Sequence, residues 1–123
     1  MMKTILVADD DKNVQLLIET ELTLEGYKVI LANNGLETLK KIKEETPDLL
    51  LLDLKMPNMH GLDVIRAIHK NNKKLPIIIC TAYEKMMNDY TVENSNIAGY
   101  LIKPVDLCHL KEVIKKSLAN KRT

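Results

Sequence analysis

Residues 47–57 read Pro47-Asp48-Leu49-Leu50-Leu51-Leu52-Asp53-Leu54-Lys55-Met56-Pro57. A strand with one wet face alternates apolar and polar side chains; four consecutive leucines do not. Such a run suits a strand covered on both faces, as in a parallel sheet held between two helical layers. Ile77-Ile78-Ile79 has the same character. The leucine run also stops abruptly at an acid, Asp53, so a buried strand delivers a carboxylate at its C-terminal end.

Outward from this run, short apolar stretches alternate with longer amphipathic ones. Ile5 to Ala8, Val29 to Ala32, Leu49 to Leu52, Ile77 to Cys80 and Tyr100 to Ile102 read as strands. Asn13 to Glu25 reads as a helix striped by Val14, Leu17 and Ile18, with Gly26 as its stop. Leu36, Leu39 and Ile42 stripe a second helix, ended by Pro47; Leu62, Ile65 and Ile68 stripe a third, after Gly61. Residues 84–95, EKMMNDYTVENS, predict only a short, mobile helix, because Asn, Asp, Thr and Ser compete with the backbone for hydrogen bonds. Leu107, Leu110, Val113, Ile114 and Leu118 share one face of a last helix, with Asp106 placed to cap it. Strand and helix alternating about five times predict a doubly wound α/β fold.

The chain has 123 residues, 46 % of them apolar, which suits one domain with a real core. With four Tyr and no Phe or Trp, that core must be aliphatic. Eighteen basic and 17 acidic residues leave a net charge of +1, so no basic face for nucleic acid is expected. MMKTILVADDD is too short in its apolar part for a secretory signal or a membrane span; a cytoplasmic protein without membrane attachment is expected. Cys80 and Cys108 lack CxxC spacing and read as ordinary buried or half-buried thiols. His60, His69 and His109 are scattered and read as surface or packing residues, and Met56 and Met59 as packing for the turn at Pro57. No glycine-rich phosphate loop is present.

In open parallel sheets ligands bind beyond the C-terminal strand ends. There the first strand ends in Asp9-Asp10-Asp11, the third in Asp53, the fourth in Thr81 and the fifth in Lys103-Pro104. Clustered carboxylates repel unless protonated or bound to a cation; hard oxygen donors select Mg²⁺ or Mn²⁺. A carboxylate can attack phosphorus and hold it as an aspartyl phosphate, while a cation and a lysine neutralise the phosphoryl oxygens and a threonine hydroxyl bonds one of them. Taken singly, each group has a plainer use: Asp11 or Thr81 as helix caps, Lys103 as a loop lysine. Their convergence on four strand ends favours phosphoryl chemistry.

In order and spacing, ILVADDDKNV (5–14), LLLLDLKMPNMHGLDVI (49–65), IIICTAY (77–83) and GYLIKP (99–104) resemble the receiver domain of bacterial response regulators; 28 positions separate Asp53 from Thr81 and 22 separate Thr81 from Lys103. The resemblance implies a flavodoxin-like (βα)5 fold, with a five-stranded parallel sheet in order 2-1-3-4-5 and five helices, in one domain spanning 1–123 with no output domain. It implies Asp53 as phosphoacceptor and Asp10 as direct Mg²⁺ ligand, with Asp9 acting through water and Lys55 through its backbone carbonyl. Thr81 and Tyr100 match the switch pair, Lys103 the phosphate-pairing lysine, and the Lys103-Pro104 bond is expected cis. EGYKVILANNGLE (25–37), LLDLKMP (51–57) and TAYEK (81–85) look most like the stand-alone intermediate of the sporulation phosphorelay.

From that resemblance the expected partners are a histidine kinase or histidine phosphotransfer protein and a downstream protein, the chain being a monomer whose catalysis is confined to its own Asp53. Asp11, Asn13, Val14, Leu17, Pro104 and Val105 are expected to line the docking rim, and Lys55 with Tyr83 to shield the phosphoryl group from water. Two departures stand out: Asn96-Ile97 replaces the usual Gly-Ala pair, and Glu21 falls where the family commonly has an apolar residue. The competing readings are a phosphorylation-independent binding module, a chemotaxis-type regulator and a phosphohydrolase. The complete Asp-Thr-Lys set argues against the first, and Lys55, where such hydrolases carry an acid, argues against the last.

Overall fold

The computed structural model describes residues 2–56, 61–71, 74–82 and 97–119. Five strands, β1 (Thr4–Ala8), β2 (Lys28–Ala32), β3 (Leu49–Leu52), β4 (Ile77–Thr81) and β5 (Gly99–Ile102), form one parallel sheet in the order β2-β1-β3-β4-β5. Among the described residues four helices flank it: α1 (Lys12–Leu24), α2 (Gly35–Glu45), α3 (Gly61–Asn71) and α4 (Leu107–Ala119). The helix expected over 84–95 lies outside the described residues, as do Tyr83, Asn96, Met59 and His60. No helix among the described residues is long and apolar enough to cross a membrane.

The leucine run is buried on both sides because successive side chains leave a strand on opposite faces. Leu50 and Leu52 join Leu6, Ile77 and Ile79 under Val64, Ile65 and Ile68 of α3. Leu49 and Leu51 join Ile5, Val7, Ile78 and Leu101 under Ile18 and Leu22 of α1 and Leu110 and Ile114 of α4. Fully burying each such aliphatic side chain contributes roughly 1.5–3 kcal/mol, so the aliphatic layers on the sheet's two faces compensate for the scarcity of aromatics.

One residue in each of two expected apolar stripes faces solvent instead of the core. Leu17 is 52 % exposed and Leu36 57 %; the buried face of α1 is Gln15, Ile18 and Leu22, and Thr38 lies buried on α2. Residues three apart turn about 300° around a helix, so a stripe stepping by three drifts about 60° off the core at each step. Leu36 is where that drift ends in solvent on α2, while Leu17 lies about 100° around α1 from the buried Ile18.

Gly26 ends α1 at φ +97°, a conformation that suits glycine. Gly61 opens α3 with its N–H donating to the Leu54 carbonyl at 2.8 Å, and a Cβ there would lie 2.5 Å from Leu54 Cα. That close approach fixes the path of the chain just beyond Asp53. Asp106 caps α4 as expected, accepting from the N–H groups of Cys108 and His109. Ile97 packs against the α3-side core in place of a smaller residue, and Glu21, half-buried, pairs with Lys111 of α4 at 3.3 Å. Cys80 is buried but Cys108 is exposed, contrary to the expectation of two sheltered thiols.

Candidate functional site at the strand ends

The strand ends are aligned: Ala8 lies opposite both Ala32 and Leu52, and Thr81 opposite Ile102. The hydrogen-bond ladder then continues one step past the strands. Asp9 N–H donates to the Ala32 carbonyl (3.1 Å), Asp53 N–H to Ala8 (2.9 Å) and Lys103 N–H to Thr81 (2.8 Å). The backbones of Asp9, Asp53 and Lys103 are thus clamped by their neighbours rather than left on free loops. The Lys103-Pro104 peptide is cis.

The side chains converge accordingly. Asp9, Asp10 and Asp53 each present a carboxylate oxygen within 4.8 Å of the others. Asp9 is 3 % exposed and Asp53 7 %, whereas Asp10 is open to solvent. Lys103 Nζ bridges the two buried acids, donating to Asp9 Oδ2 at 2.7 Å and Asp53 Oδ2 at 3.1 Å. Asp53 Oδ1 accepts the Lys55 N–H at 3.1 Å, and Asp9 Oδ1 the Asp11 N–H at 2.9 Å. Thr81 is fully buried at the end of β4, and Tyr100 of β5 packs half-buried against the α3-side core.

Burial pushes the Asp53 carboxyl above its ordinary range; the Lys55 amide and Lys103 charge oppose this, and Asp9 adds to it. Burial alone would lower Lys103, but the hydrogen bonds and charges of Asp9 and Asp53 outweigh it and hold the ammonium protonated. One ammonium serves this cluster of three acids, and it bonds only Asp9 and Asp53. Hard oxygen donors on the open side, with acids outnumbering the ammonium, fit a small divalent cation, so this cluster can hold a metal.

The other expected residues that the structure describes lie at the start of α1, just after Asp53 and just after β5. Asp11 is the N-cap of α1, accepting from Asn13 N–H (2.9 Å) and Val14 N–H (3.3 Å). Asn13, Leu17 and Pro104 are exposed, and Val14 and Val105 half-buried against the α1-side core. Lys55 is exposed and Tyr83 lies outside the described residues. Gln15 went unnoticed in the sequence. Its buried amide donates to the Asp9 carbonyl and, at 2.9 Å, to Asn33 Oδ1. The signal was available, since a lone polar residue in register with Ile18 and Leu22 needs partners.

Residues 5–115 match the family described as response regulator receiver domain. The chain is 37 % identical to the transcriptional regulatory protein ZraR of Klebsiella oxytoca over 96 % of its own length, and spans only 27 % of that regulator. It is 32 % identical to sporulation initiation phosphotransferase F of Bacillus subtilis, covering 96 % of this chain and 95 % of that one. Among solved structures it resembles the response regulator TrrA of Thermotoga maritima, determined in complex with Mg²⁺–BeF, with a TM-score of 0.88, 40 % identity, and coverage of 94 % of this chain and 99 % of that chain.

Proposed function

The chain belongs to the response regulator receiver domain family, and on that premise we propose that it takes a phosphoryl group from a phosphohistidine onto Asp53. One observation carries this reading: Asp53 is a buried carboxylate fixed at a strand end, bonded to Lys103 and within 4.8 Å of two further acids. An Asp53 oxygen attacks phosphorus, the bond from phosphorus to the histidine nitrogen breaks, and the imidazole leaves with that electron pair. The product is an acyl phosphate on Asp53.

Lys103 is the mobile charge of the site. It is shared between Asp9 and Asp53, and it can turn to the phosphoryl oxygens once they are present, since an ammonium is a point charge on a flexible stem. Asp9, Asp10 and Asp53, with the Lys55 carbonyl, would hold Mg²⁺, which supplies charge neutralisation while the phosphoryl group transfers. Thr81 would bond a phosphoryl oxygen, and its inward movement would open space for Tyr100, the pair acting as the switch. The donor, a histidine kinase or phosphotransfer protein, must cover the rim formed by the start of α1 and the loop after β5. The likeness to sporulation phosphotransferase F over nearly both whole chains supports onward transfer to a second histidine as the output.

Incubation with acetyl phosphate and Mg²⁺, read by intact mass, tests the assignment. Wild type should gain one phosphoryl group; Asp53→Asn, or wild type in excess EDTA, should gain none. Full labelling of Asp53→Asn would refute it.

A further inference from the structure

Gln15 is the one polar side chain on the buried face of α1, 3 % exposed. Its Nε2 meets three acceptors: the Asp9 carbonyl, Asn33 Oδ1 at 2.9 Å and, more weakly, the Ala32 carbonyl at 3.3 Å. An amide nitrogen has two protons, so two bonds are full and the third is shared. Converging acceptors also settle which end of the amide is nitrogen. Asn33 is itself held: it accepts from Lys12 Nζ, and its Nδ2 and backbone N–H both donate to Glu37 Oε1, at 3.1 and 2.9 Å.

The Asp9 carbonyl belongs to the peptide that joins Asp9 to Asp10. Asp9 N–H is already tied to the Ala32 carbonyl of β2, so Gln15 fastens the other side of the residue and fixes that peptide plane. Asp10 is exposed, and its aim depends on the backbone that carries it. We propose that Gln15, braced by Asn33, is a positioning residue that orients the Asp9-Asp10 peptide and thereby preorganises the cation site. This rests on the cation-binding reading above. It assigns α1 and the β2–α2 loop a direct influence on cation affinity, though neither supplies a ligand. Removing a group that orients ligands typically weakens metal binding about 10- to 100-fold.

The test is calorimetric titration of wild type, Gln15→Met, Asn33→Ala and Ile18→Val with Mg²⁺ alone, at a temperature where circular dichroism shows each folded. Gln15→Met keeps the volume and removes the donor; Ile18→Val is a packing change on the same helix. Gln15→Met should raise the Mg²⁺ dissociation constant about tenfold and Asn33→Ala to a lesser extent, with Ile18→Val at the wild-type value. Unchanged affinity in folded Gln15→Met, or equal weakening in Ile18→Val, overturns the proposal. If Gln15→Met does not fold, Asn33→Ala decides it: wild-type affinity there overturns it and weakened affinity sustains it. A wild type that takes no Mg²⁺ overturns the cation reading, and this inference with it.

Discussion

Asp53 ends a run of four buried leucines, and burial there works against its charge. Its raised pKa has a stability consequence with a definite sign. The folded state binds the Asp53 proton more tightly than the unfolded state, so this contribution is present below the ordinary aspartate range and is lost as pH rises through the raised value. At neutral pH without metal, the ionised side chain is therefore a net burden on the fold. Asp53→Asn should stabilise the metal-free protein at pH 7, because it removes the cost of holding a charge in a buried place, and the gain should shrink as pH approaches 4. Thermal melts at both pH values check this; a variant less stable than wild type at pH 7 would mean that the Lys103 ion pair outweighs desolvation.

At the scale of elements, the turn from β3 into α3 and the rim beside β5 each permit a clean perturbation. Gly61→Ala places a methyl against Leu54 backbone and should destabilise the chain by about 1–3 kcal/mol; a melting temperature equal to wild type would show that the turn relaxes freely. If the proposed donor covers the loop after β5, Val105→Asp should slow phosphotransfer from a protein donor and leave acetyl phosphate labelling intact, as Val105 is half-buried just after Lys103 and Pro104 and is not one of the clustered acids. Equal slowing with both donors would indicate general damage to the site. The strands, their apolar continuity and the strand-end acids were legible in the sequence because period and composition act locally. The exposure of Leu17 and Leu36 was not, because a three-residue step fits several helix faces equally. Nor was Gln15, whose meaning comes from Asp9, Ala32 and Asn33 being brought together by two neighbouring strands.

Over the whole molecule, the parallel sheet places groups from positions 9, 53, 81 and 103 along one edge, and the extended backbone ladder holds three of them there. The two core layers cover both faces of the sheet, and in open α/β sheets ligands bind at the strand-end edge. Hydride transfer from borohydride identifies the phosphorylated residue most directly: hydride adds to the acyl carbon of an aspartyl phosphate, phosphate leaves, and further reduction leaves homoserine in the chain. After acetyl phosphate and Mg²⁺, peptide sequencing by mass should find homoserine at position 53 and unmodified aspartate at positions 9, 10 and 11. Homoserine at any of those three with Asp53 unchanged, or none at all from a labelled chain, would contradict phosphorylation at Asp53.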